Sequence, residues 1–237
     1  MWWFAATHAN LLTGFAMAAA GPAPLLDAGC GTGGLLARIA AAYPERALFG
    51  IDTDAAACAR AARKSRRAVC AGSVNRLPFA DAAFGAIFSA DVLCHRDVDE
   101  RAALGQFHRC LAQGGVLVLN LPAYRWMMSR HDAAVYNVRR YTRAGLARLL
   151  QRAGFRIVFA SYWNAVLFPL MVLTRKLLPA RGHPGSDVRL YPGPLDALCR
   201  AVTAAERALL RRGWRLPFGG SLLAVAAKDM PGDTRNA

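Results

Sequence analysis

The sequence predicts a doubly wound α/β domain with a seven-stranded, mostly parallel sheet, and two observations carry that expectation. Short apolar runs alternate with longer helical stretches, the spacing of βαβ units whose crossovers place helices on both faces of a sheet. The first apolar run also leads directly into a glycine-rich turn that opens a helix, and ligands of such sheets bind at the carboxyl ends of the strands.

Taken in order, an aromatic segment within residues 1–20 predicts a helix, and Pro24–Ala28 a short buried strand. A helix over Leu35–Tyr43 follows, then a strand over Ala47–Ile51 and an alanine-rich helix over Asp54–Ser65 that ends in Arg63-Lys64-Ser65-Arg66-Arg67. Strands are predicted at Ala68–Ala71 and, after a turn at Asp81–Gly85, at Ala86–Ala90. The helix at Glu100–Ala112 is expected to close on Gly114-Gly115 in a left-handed cap before a strand at Val116–Leu121. Thr142 suits the N-cap of a helix over Arg143–Ala153 that stops at Gly154, with a strand at Phe155–Ser161 beyond. Two further helices, Trp163–Leu178 and Leu195–Arg212, flank a Pro/Gly-rich connection before a last strand at Ser221–Ala227 and a frayed tail at Asp229–Ala237. The chain of 237 residues therefore reads as one domain over 1–237, with a helical insertion or cap over 162–220.

The formal charge of +15 is concentrated late: residues 1–120 carry 11 Lys+Arg against 9 Asp+Glu, residues 121–237 carry 19 against 6. Such a surface attracts anions of any kind, from phosphorylated substrates to anionic lipid, and an arginine-rich solvated surface is the plain alternative. The aromatic and basic stripe of a recognised nucleic-acid module is absent, so nucleic acid is not the expected partner. Six scattered cysteines without a C-x-x-C pair argue against zinc or a disulfide framework and suggest a reducing, cytoplasmic setting. The apolar run Ala165–Leu173, interrupted by Pro169, is too short to span a bilayer.

Asp27-Ala28-Gly29-Cys30-Gly31-Thr32-Gly33-Gly34 carries the chemistry. Gly29, Gly31 and Gly34 also satisfy the dinucleotide fingerprint, which keeps an NAD-dependent oxidoreductase open. Asp27 weighs against it, because a carboxylate inside the turn repels a pyrophosphate and attracts an ammonium. Asp52, at the end of the next strand, can accept from two ribose hydroxyls. Cys30 reads as a small residue filling the turn.

Leu25–Gly34 (LLDAGCGTGG), Gly50–Asp54 (GIDTD), Leu77-Pro78-Phe79 with Phe84, and Leu111–Leu117 (LAQGGVL) together resemble class I methyltransferases, most nearly the type 11 group. The resemblance covers roughly 25–160 and implies a Rossmann-like methyltransferase fold with an antiparallel last strand, using S-adenosylmethionine. It implies that Gly29, Gly31 and Gly33 line the methionine and ribose, Asp27 meets the amino group and Asp52 the ribose hydroxyls. Thr53, Ser73, Val74 and Asp91 complete the implied cofactor set. Gly72-Ser73-Val74-Asn75 lacks the acid the family commonly has there for the adenine amine, and Gly85 stands where an Asp is frequent.

The acceptor side is less defined. His95 follows the fourth strand where family members often have a histidine, and a surface or capping role is equally open. His131-Asp132 ahead of Tyr136–Thr142 resembles a type 11 segment leading to Arg-Arg-Tyr-Thr, with Asn137 where a second histidine is frequent. His131, His95 and Asp132 are the candidate catalytic residues, with His131 as base or orienting group. Arg139, Arg140 and Tyr141 are the candidate acceptor-binding residues, and fold-stabilising ion pairs are the alternative. A small-molecule or lipid-linked acceptor, methylated at oxygen, is expected. Residues 163–178 beside Arg175-Lys176 suit a lid, peripheral membrane contact or plain packing. Trp2, Trp3 and Phe4 suit either closure over the cofactor mouth or packing. A non-catalytic cofactor-binding or nucleic-acid-binding protein is the remaining reading.

Overall fold

The computed structural model describes residues 1–18, 21–177 and 192–229. Seven strands form one sheet: β1 (Leu25–Ala28), β2 (Leu48–Asp52), β3 (Ala68–Ala71), β4 (Phe84–Ala90), β5 (Leu111–Pro122), β6 (Phe155–Trp163) and β7 (Ser221–Lys228). Their order is β3-β2-β1-β4-β5-β7-β6. β1 to β5 pair in parallel, and β7 runs antiparallel between β5 and β6. This differs from the 3-2-1-4-5-6 order of dinucleotide-binding sheets.

The strands are apolar on both faces because each face is covered. Along β4, Phe84 and Ile87 enter one core with Leu104 and Phe107 of α4 (Glu100–Cys110) and Leu146 and Leu150 of α6 (Arg143–Arg152). Ala86 and Phe88 enter the other, with Leu11 of α1 (Trp2–Ala16), Leu36 and Ile39 of α2 (Gly34–Ala42), Ala61 of α3 (Ala55–Ser65) and Leu210 of α8 (Gly193–Arg211). From Ala86 to Phe88 successive side chains alternate between the two cores, and the irregularity between Phe84 and Ala86 turns Phe84 to the side of Ile87. Asp54 caps α3 by accepting from the Ala56 and Ala57 amides, and Thr142 caps α6 by accepting from Gly145.

Two elements depart from the sequence reading. α4 ends at Cys110, and Leu111 is already extended and paired with Phe84, so Gly114 takes its positive φ of 69° inside the irregular start of β5 rather than as a helix cap. The helix expected from Trp163 starts later, because β6 continues through Trp163, which pairs with Ser221, and Asn164 turns the chain with φ 59°. α7 spans Phe168–Val172, with Pro169 in the first turn where a missing N–H costs nothing, and continues as a π-helical turn, Leu173–Leu177. The last residue expected for that helix, the Pro/Gly-rich connection, most of the tail and residues 19–20 lie outside the described residues.

The two sheet edges differ in how much pairing surface they leave open. β3 has four residues and follows the basic end of α3, where Arg67 donates to the Pro44 carbonyl. At the other edge Leu216 bridges Tyr162 and its amide donates to Ser161 Oγ at 2.9 Å. Among the described residues no helix is long and apolar enough to cross a membrane.

Candidate active site

β1 carries Asp27 to the centre of the sheet and releases the chain into the glycine turn, which is tied to β2 by the Gly29 and Cys30 amides donating to the Ile51 carbonyl at 2.8 and 2.9 Å. The three glycines serve different ends. A Cβ on Gly29 would lie 2.2 Å from Val92, and one on Gly33 2.6 Å from the Ala61 Cα, so Gly33 permits the close approach of α2 to α3 rather than lining a ligand site. Gly31 (φ 49°) has no atom within 4 Å of its Cβ position and opens to free space.

Asp27 borders that turn. It is 1% exposed, and its Oδ2 has no hydrogen-bond partner. Burial first, then the charge of Asp52, pushes its carboxyl up to about 7, opposed by the Leu36 amide. Asp52 is fixed from two sides: Oδ2 accepts from the Gly31 amide at 2.8 Å and Oδ1 from the Asp54 amide at 3.0 Å. Each oxygen keeps a lone pair for further donors. Thr53 is exposed beside it.

On the far side, Ser73 Oγ accepts from the Asn75 amide at 3.2 Å and Val74 is buried in the core. Asn75, a residue the sequence did not single out as a bonding partner, donates to the Asp97 carbonyl and accepts from the Asp99 amide, fastening this loop to the start of α4. Asp91 follows β4 with φ 55°, and its Oδ1 accepts from Asn120 Nδ2 at 3.0 Å. Burial pushes its carboxyl up to about 7, against the pull of Asn120 and Arg140.

His95 follows on an exposed turn. Burial lowers it below the ordinary histidine value, and the charges of Asp52 and Asp97 oppose that. The segment read as acceptor-binding holds this turn in place. Arg139 donates through Nε to the Leu93 carbonyl at 3.1 Å and through Nη2 to those of His95 and Val98. The Tyr141 hydroxyl lies 2.9 Å from the Leu93 carbonyl and 3.0 Å from Glu100 Oε2. His95 forms an antiparallel bridge with Asn137, whose Oδ1 lies 3.1 Å from Cys94 Sγ.

Arg140 and Asp132 are taken up by each other. Their side chains are 3% and 0% exposed, and Arg140 also donates to the Ala123 carbonyl at 3.0 Å. Burial would raise Asp132, but hydrogen bonds and charge from Arg140, with Ser129, hold it below the usual carboxylate range. The Arg140 guanidinium and the Asp132 carboxylate are thus engaged with each other away from the protein surface. His131 precedes the pair on the short helix α5 (Arg130–Ala134).

An aromatic wall beyond β5 was not legible in the sequence. Tyr124 stacks on Tyr162 with ring centroids 5.0 Å apart and meets Phe168 at 5.5 Å, and Phe168 contacts Trp126 and Phe218 at 6.0 and 6.2 Å. These residues lie far apart in the chain, and only the meeting of the strand ends joins them.

The seven-stranded order with β7 antiparallel is that of the Rossmann-like methyltransferase fold, and residues 26–119 match the methyltransferase domain family. This chain carries that match over 94 of its 237 residues. It is 30% identical over 154 residues to a malonyl-[acyl-carrier protein] O-methyltransferase of Geobacter sulfurreducens, covering 58% of this chain and 57% of that one. It is 33% identical over 124 residues to the protein of that name from Dechloromonas aromatica, covering 52% and 46%. The chain thus spans about half the length of the curated relatives it matches. Among solved structures, the methyltransferase in complex with the Trm112 activator of Haloferax volcanii superposes with a TM-score of 0.62 at 15% identity, covering 94% of this chain and 90% of that one. A geranyl diphosphate methyltransferase in complex with S-adenosylmethionine gives 0.61 at 17% identity, covering 94% and 85%.

The residues present fit S-adenosylmethionine, the ligand of that geranyl diphosphate methyltransferase. The orphaned oxygen of buried Asp27 calls for a cation or donor, Gly31 leaves the space, and Asp52 offers two fixed acceptors.

Proposed function

We propose that this protein transfers the methyl group of S-adenosylmethionine to an oxygen atom of a small-molecule or lipid-linked acceptor seated over the carboxyl ends of β4 and β5. The observation that carries the reading is the unpaired oxygen of Asp27 beside the open face of Gly31. A buried carboxylate without a partner is costly, and a cationic amino acid is the ligand that removes the cost.

The chemistry supplied by the bound cofactor is an electrophilic methyl group on a sulfonium. Asp27 and Asp91 hold the ammonium, Asp52 the ribose hydroxyls, and the backbone near Ser73 and Val74, with Thr53, borders the adenine. His95, exposed beside Asp91 and in its neutral form near pH 7, accepts the proton released by a hydroxyl acceptor; a carboxyl acceptor, already ionised there, has no proton to give up. His131 orients the acceptor from α5. Arg139 and Tyr141 act by fixing the His95 turn, and alignment of acceptor and methyl carbon supplies much of the rate.

Oxygen is supported by the O-methyltransferase names of three relatives. An apolar acceptor is supported by the aromatic wall of Tyr124, Phe168 and Phe218. Exposed Trp126, Leu170 and Phe218 beside exposed Arg125 and Lys176 support contact with an anionic membrane surface. Calorimetric titration with S-adenosylmethionine and its demethylated product tests the reading, and absence of binding to both overturns it. Incubation of a cell extract with labelled methyl donor then identifies the acceptor.

A further inference from the structure

Asn120 joins the cofactor side of the sheet to the N-terminal helix. It is fully buried near the end of β5, and both ends of its amide are used: Nδ2 donates to Asp91 Oδ1 at 3.0 Å, and Oδ1 accepts from Trp163 Nε1 at 2.8 Å. Trp163 is itself fully buried and stacks on Trp3 of α1, with ring centroids 4.9 Å apart and planes 23° from parallel. An indole N–H can only donate, so it fixes the amide with its oxygen toward Trp163 and its NH₂ toward Asp91. A carboxylate facing an NH₂ is favoured as the anion, whereas a carbonyl in the same place would favour the protonated acid.

We propose that Trp163, backed by Trp3, is a positioning residue for methyl-donor binding: it locks the Asn120 amide so that Asp91 stays anionic toward the cofactor's ammonium. This rests on the reading that Asp91 meets the donor. The other groups acting on Asp91 are Arg140, whose charge favours the anion, and Cys94 and His95, both of which contact its backbone. Burial already brings Asp91 close to half-protonation near neutral pH, so the orientation of one amide decides its charge there.

The test is donor affinity against pH in Trp163→Phe, Trp163→His and Asp91→Asn, each compared with the unaltered protein. The His ring places Nε2–H where the indole N–H stood and removes more volume than Phe does, so recovery in Trp163→His cannot come from better packing. Affinity of the unaltered protein falls as pH drops through about 7. Trp163→Phe moves that midpoint up by about one unit and weakens binding at pH 7 about fivefold, and Trp163→His restores it. Asn120→Leu, which leaves the tryptophan in place, gives the same upward displacement should the ring variants not fold. Equal midpoints for Phe and His at 163, or an unmoved midpoint for Asn120→Leu, overturn the inference while Asp91→Asn still weakens binding. Unchanged affinity in Asp91→Asn overturns the reading of Asp91 itself, and this inference with it.

Discussion

Arg140 meets Asp132 through two parallel contacts, Nε to Oδ1 at 2.8 Å and Nη2 to Oδ2 at 3.0 Å, out of reach of water. Removing one partner leaves an uncompensated buried charge, so Asp132→Ala or Arg140→Ala is expected to destabilise by about 3–5 kcal/mol. A Leu/Met replacement of both should be far milder. Urea midpoints measure this. Because Asp132 is held low, its contribution is present above about pH 4 and is lost as acid protonates it.

Asp27 behaves in the opposite sense. Its carboxyl is raised to about 7, so the unliganded fold carries no charge penalty from it below about pH 4 and loses stability as pH climbs through 7. Asp27→Asn should flatten that dependence, seen in thermal midpoints between pH 5 and 8. The same change should weaken donor binding by about ten- to a hundredfold, the worth of a hydrogen bond to a charged group, read by calorimetry.

Two neighbouring glycines should respond differently. Gly33→Ala drives a methyl to 2.6 Å from the α3 backbone and lowers the melting temperature. Gly31→Ala meets nothing in the protein, so its cost is confined to about 1–2 kcal/mol of left-handed backbone strain, while donor affinity drops sharply. Equal effects on binding and melting in the two variants would refute the assignment of Gly31 to the cradle.

His95→Ala and His131→Ala are expected to leave donor affinity intact and cut turnover, the former by about a hundredfold or more. Because burial lowers His95, turnover should rise with pH with its midpoint below the ordinary histidine value. A pH-independent rate would remove His95 from the chemistry.

For the membrane face, flotation with phosphatidylglycerol vesicles should retain the protein and phosphatidylcholine should not. Leu170→Glu together with Trp126→Ser should abolish retention.

The sheet was legible in the sequence because its signals are local: apolar runs, Asp54 and Thr142 at helix starts, and the glycine turn all declare themselves within a few residues. Contacts between distant residues were not. The same letters Arg139-Arg140-Tyr141 serve an acceptor site or an internal clamp, and only the folded positions of Leu93, Asp132 and Glu100 decide which. Asn120 gave no signal at all, since its partners lie 29 and 43 residues away. Gly114 misled because a positive φ serves a bulge as well as a helix end.

The treatment of the two outermost strands bears on how copies of this protein meet. Four residues behind a run of basic side chains at β3 give an incoming strand little to grasp and a like charge to overcome, whereas at the nine-residue β6 Leu216 covers the edge at Tyr162. Copies in concentrated solution should therefore avoid joining edge to edge through β3.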